Sequence, residues 1–111
     1  MDISNDSPLL SNSFEALAND KRRGMLFTLA FRPATVSQLA AEFGLTFPAI
    51  HKHIRILEKA RLIQRRKDGR TNFVTLNRTS LKVVQDWLNQ FRTEWGDDEE
   101  SLENYFASLK D

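Results

Sequence analysis

The sequence predicts a mainly α-helical domain carrying one small β-hairpin, in the order α-α-α-α-β-β-α. Three observations predict it. Four successive segments before residue 62 carry apolar residues at helical spacing, an Asp68-Gly69 pair then sits between two strand-like runs, and a long apolar stripe of helical period follows from about Thr79. At 111 residues the chain reads as one domain, 1–111, with room for a modest core.

The elements follow in order. Leu10, Phe14, Leu17 and Ala18 give the first helix, within 9–18. Asp20 can cap the second, "KRRGMLFTLAF", which has Met25, Leu26 and Leu29 on one face and ends before Pro33. In "TVSQLAAEFG", Thr35 and Gln38 have capping-box spacing, and Gly44 can close the helix in a left-handed conformation. Thr46 can cap "FPAIHKHIRILEK", with Pro48 tolerated in its first turn. "IQRRK" and "TNFVTLN" flank Asp68-Gly69-Arg70, a strong hairpin signal. The last helix, 79–109, carries Leu81, Val84, Leu88, Phe91 and Trp95 on one stripe with Trp87 beside it. It is long, or broken near Gly96 where Asp97 and Glu100 can cap a final segment bearing Leu102, Tyr105, Phe106 and Leu109.

Within 35–60 the apolar Val36, Leu39 and Phe43, small Ala40, turn Gly44, Leu45 and anchor Ile50 meet the steric demands of a helix-turn-helix. A hairpin directly after it, 63–77, makes a winged helix-turn-helix. At about 100° per residue, Ile50, Ile54 and Leu57 share the face to be buried. Pro48, His51, Lys52, Arg55 and Lys59 fall opposite, with Phe47 and His53 at the flanks. In this motif the outward face enters a DNA major groove, so Thr46, Phe47, Pro48, His51, Lys52 and Arg55 are the candidate contacts. Lys52 and Arg55 can donate to guanine edges or phosphates, and His51 from either ring nitrogen. Phe47 can touch thymine methyls, or simply pack across the turn. The competing reading of Lys52 and Arg55 is a solvated helix face. His53, beside the buried face, reads as a hydrogen-bonded packing residue first and a phosphate contact second. The wing offers Arg65, Arg66, Lys67 and Arg70 to phosphates or to a narrow minor groove, unless it merely keeps the hairpin soluble.

Charge supports a polyanion footprint. Residues 46–78 carry net +7, against −1 for 1–45 and −5 for 79–111. No cysteine is present, which excludes disulfides and thiolate metal sites. His51 and His53, two apart on a helix, point about 200° from each other and cannot share one metal ion. Phosphate loops, nucleophile elbows and HExxH are absent, and the acidic run at 97–100 suits a helix start better than a cation site. No enzyme activity, metal or cofactor is therefore expected. "MDISNDSP" has no apolar h-region and no run reaches the length of a membrane span, so a soluble, cytoplasmic protein is expected.

"FEALANDKRRGMLFTLA", "TVSQLAAEFGLTFPAIHKHIRILEKARLI" and "RRKDGRTNFVTLN" resemble the ArsR family of bacterial winged-helix repressors over roughly residues 14–95. The resemblance rests on Asp20 to Arg23, His53-Ile54, Leu57 to Ala60 and the basic wing with its acidic-Gly-Arg tip. It implies a homodimer joined by its first and last helices, binding an imperfect inverted repeat near a promoter, with repression relieved by an effector. The interface candidates are Leu10, Phe14, Leu17, Val84, Trp87, Leu88, Phe91 and Trp95; the alternative is that the final segment folds back over the stripe within a monomer. The C-terminal anions would turn that end away from DNA. Two features depart from the family. Without cysteines or any histidine after 53, the chain resembles the metal-independent branch. Arg61 stands where the family commonly has Gly, and a positive φ there would cost on the order of 1 kcal/mol. The expected function is a homodimeric DNA-binding repressor, the alternative a winged-helix protein-interaction module without specific DNA binding.

Overall fold

The computed structural model describes residues 7–92 and 98–110. The order is α1 (Pro8–Leu17), α2 (Asp20–Phe31), α3 (Val36–Phe43), α4 (Phe47–Lys59), β1 (Ile63–Asp68), β2 (Thr71–Leu76), α5 (Arg78–Asn89) and α6 (Asp98–Ser108). This is the expected mainly helical winged helix-turn-helix. No helix among the described residues is long and apolar enough to cross a membrane.

Local chemistry sets most boundaries. Ser7 caps α1 by accepting from the Leu10 amide, and Pro8 supplies the fixed φ of a first turn. The cap of α2 is Asn19, one residue before the expected Asp20, and its Oδ1 takes the amides of Lys21 and Arg22. α5 departs further from expectation. It ends at Asn89 and tightens into a 3-10 turn, Gln90–Arg92, whose first amide reaches the Trp87 carbonyl. The helix therefore breaks well before Gly96, and Phe91 lies in that turn. Trp95, Gly96 and Asp97, with the cap expected there, lie outside the described residues.

The core is built from α2 (Met25, Leu26, Leu29), α3 (Leu39), α4 (Ile50, Ile54, Leu57) and the strand side (Leu62, Ile63, Val74). The hairpin is antiparallel, Ile63 opposite Leu76 and Asp68 opposite Thr71. A pair of bonds between Ala34 and Val74, at 3.1 and 2.7 Å, adds the α2–α3 linker to its edge and fastens the wing to the helices. α2 and α3 approach closely at Gly24: a Cβ there would stand 2.7 Å from Phe43 Cε1.

Three helices meet at one buried guanidinium. Arg22 Nε donates to the Ala16 carbonyl (2.8 Å), Nη2 to Glu15 (3.0 Å) and Nη1 to His53 Nδ1 (3.1 Å). Arg23 Nη1 takes the Leu17 carbonyl at 2.7 Å. These two arginines satisfy the Ala16 and Leu17 carbonyls at the end of α1, and Arg22 shares the Glu15 carbonyl with the Ala18 amide.

Candidate nucleic-acid interface

The capping box of α3 forms in full: Gln38 N donates to Thr35 Oγ1 and Thr35 N to Gln38 Oε1. Gly44, at φ 62°, turns the chain, and the Leu45 amide returns to the Ala40 carbonyl at 2.9 Å. Thr46 then caps α4 through the Ala49 amide. Short-range signals thus orient α4. Its Ile50, Ile54 and Leu57 are wholly buried, which turns Pro48, Lys52, Arg55 and Lys59 outward.

On that outward side the structure brings together Thr46, Phe47, Pro48, Lys52 and Arg55, all exposed. Phe47 remains 67% exposed. Its ring meets the His51 ring edge-on, centroids 4.3 Å apart. His51 differs from expectation: it is half-buried, and its Nε2 is sealed from solvent without a hydrogen-bond partner. It props Phe47, and that nitrogen is not poised to donate outward.

His53 lies on the inner flank, where its Nδ1 accepts from Arg22. Burial lowers its pKa below the ordinary value, and the positive charges of Arg22, Lys21 and Lys52 lower it further. A neutral ring with its proton on Nε2 fits this bond, since a protonated one would set two donors face to face.

The wing divides its cations between two tasks. Arg65 forms a two-pronged pair with Glu58 of α4, at 3.1 and 3.3 Å, and so braces the hairpin against the helix. Arg66, Lys67 and Arg70 are exposed and, among the described residues, have no ion-pair partner; the same holds for Lys52, Arg55 and Lys59.

The expected interface residues separate as well. Leu10 (3% exposed) and Val84 (5%) are buried within the protomer, so neither has surface to offer a second copy, and both serve this chain's own interior. Leu17 is half-buried against the core. Phe14, Trp87 and Phe91 form a chain of edge-on rings, 5.4 and 4.9 Å between centroids, with Phe91 70% and Leu88 50% exposed.

A model of the family described as bacterial regulatory protein, arsR family, matches residues 19–65. The HTH-type transcriptional regulator Rv2034 of Mycobacterium tuberculosis is 32% identical over 73% of this chain and 76% of its own. The chain belongs to the ArsR family. It is accordingly a DNA-binding transcriptional regulator, from a family of regulators and not of enzymes. The crystal structure of the ArsR family transcriptional regulator RHA00566 is 36% identical, covers 74% of this chain and 84% of its own, and has a TM-score of 0.67. The transcriptional repressor SdpR of Bacillus subtilis is 29% identical over 74% of this chain and 91% of its own. The family match runs from α2 through the helix-turn-helix into the first half of β1. Among the described residues no three carboxylates or histidines gather as a metal site.

Arg22, Gly24 and Asn77 were not legible as working residues. Arg22 left one trace: it shares a helical face with Met25, Leu26 and Leu29, where a charge needs partners. Asn77 shows none, yet its Nδ2 donates to the Arg61 carbonyl (2.9 Å) and Ser80 Oγ (3.0 Å), tying the end of α4 to α5.

Proposed function

We propose that this ArsR-family regulator is a homodimeric repressor that binds an inverted-repeat operator, with one α4 in each of two successive major grooves. Lys52 and Arg55 read guanine edges or adjacent phosphates, Phe47 meets a thymine methyl, and Thr46 and Pro48 approach the backbone at the helix start. His51 holds Phe47 in place. Arg66, Lys67 and Arg70 run along flanking phosphates while Arg65 keeps the wing at its angle. Residues 35–60 act as the helix-turn-helix and 63–77 as the wing. Phe14, Leu17, Trp87, Leu88 and Phe91, from the stretches 9–18 and 79–109, join the two copies. The protein works in the cytoplasm, where a bacterial operator lies, without a cofactor.

The observation that carries this reading is the set of exposed cations without ion-pair partners on the outward side of α4 and on the wing, in contrast to the neighbouring Arg65, which is paired. Cations that served only solubility would not need a capped, buried-faced helix to aim them. SdpR, named a repressor, supports the sign of regulation.

The test is Lys52→Ala with Arg55→Ala, measured by fluorescence anisotropy on an operator chosen by selection from random duplexes. Loss of two base or phosphate contacts weakens specific binding by roughly 100-fold, with helicity and oligomeric state unchanged. Wild-type affinity in the double variant would mean that DNA is bound through another face, or that α4 serves protein recognition.

A further inference from the structure

Two apolar faces of this chain lie uncovered, and neither belongs to the DNA-facing side or to the Phe14–Trp87–Phe91 row. On α2, Phe27 and Phe31 are one turn apart, packed edge-on with centroids 5.2 Å apart, and are 69% and 76% exposed. On α6 and the turn that ends it, Leu102, Tyr105, Phe106 and Leu109 follow helical spacing along one stripe, each more than half exposed. Clustered exposed aromatics of this kind mark contact surfaces.

We propose that the two faces belong to each other across copies: α6 of one copy lays its stripe on the Phe27–Phe31 face of α2 in a second copy. Charge supports the pairing. Arg23 is exposed one turn before Phe27, and Arg78 reaches across to the Ala30 carbonyl at 2.8 Å, leaving α2 bordered by guanidinium groups. α6 is acidic, with Glu99 and Glu103 beside the stripe and both exposed. Opposite charges at the rim of an apolar contact fix its register and steer its formation. Within one copy both faces stay open, whereas reciprocal exchange about a two-fold axis covers both faces of both copies at once. The proposal does not rest on the DNA reading.

The chain has no cysteine, so single cysteines can be placed cleanly. One preparation carries Ala30→Cys, and a second, affinity-tagged preparation carries Tyr105→Cys, which leaves Leu102, Phe106 and Leu109 in the stripe. The two are mixed, treated with a short bis-maleimide and scored for a tagged–untagged crosslink, with circular dichroism confirming that each variant folds. The expected result is efficient crosslinking between the two chains, falling at least 10-fold when Phe27→Ser and Phe31→Ser are added to the first. Absence of the mixed crosslink overturns the proposal. So does crosslinking indifferent to the serine replacements. Operator binding, measured on the same samples before crosslinking, reports separately on the DNA reading.

Discussion

Arg61 is the one residue other than glycine among those described with a positive φ, 57°. It ends α4 in a left-handed turn, with the Arg61 amide on the Glu58 carbonyl (2.9 Å) and the Leu62 amide on Leu57 (3.1 Å). A Cβ in this conformation is crowded by the carbonyl that follows it, at a cost of roughly 1–2 kcal/mol. Wholly buried Leu57 and Leu62 bracket the turn, and Asn77 holds the Arg61 carbonyl, so the surroundings impose the conformation. Arg61→Gly should therefore stabilise the fold by about 1 kcal/mol after the greater flexibility of an unfolded glycine is subtracted. Urea denaturation checks this, and a lower midpoint for the glycine variant would contradict it. The possible strain at Arg61 was legible because one residue type stood out against a known turn. The role of His51 was not, since the contact of its ring with Phe47 depends on side-chain geometry that helical angles alone do not give.

At the scale of elements, the Arg22–His53 bond joins α4 to α2, and the same guanidinium holds the end of α1. Its energetics depend on a neutral His53. The folded pKa lies below the ordinary value of about 6.5, so between the two values the unfolded chain binds more protons than the native one. The stability this site contributes is complete above about pH 6.5 and is lost as pH falls from there through the folded pKa. His53→Gln keeps an acceptor for Arg22 and removes the titration, so its stability should fall less than that of the wild type between pH 7 and pH 5. Parallel curves for the two proteins would show that His53 is not the titrating group. The helices, the turn at Gly44 and the hairpin tip at Asp68-Gly69 were readable because caps and turns act over three or four residues. The Arg22 junction was not, because its acceptors lie on two other helices, the farther of them 31 residues away. The packing of Gly24 on Phe43 was hidden for the same reason. Periodicity put Leu10 and Val84 on apolar stripes, but it could not tell this chain's own interior from a contact between copies.

For the whole molecule, the cationic α4 and wing lie within the segment of net +7, while the net −5 of residues 79–111 falls on the stretch that carries α5 and α6. If α4 and the wing meet DNA, this division turns the basic face toward it and the acidic end away. If two copies join through the Phe14–Trp87–Phe91 row, Phe91→Glu puts a charge into that contact. The variant should remain folded, sediment as a monomer at micromolar concentration and lose at least 10-fold in operator affinity, because one half-site is released. Analytical ultracentrifugation decides; an unchanged dimer would move the interface elsewhere.

Specific DNA binding through α4 and the wing is tested by wild-type anisotropy on the selected operator from about 50 to 300 mM salt, with unrelated duplex as competitor. Binding should survive a large excess of competitor, with a log–log salt slope of roughly −5 or steeper, as expected when about six or more phosphates are neutralised by the two copies. Weak binding, equal on operator and competitor with a shallow slope, would contradict it.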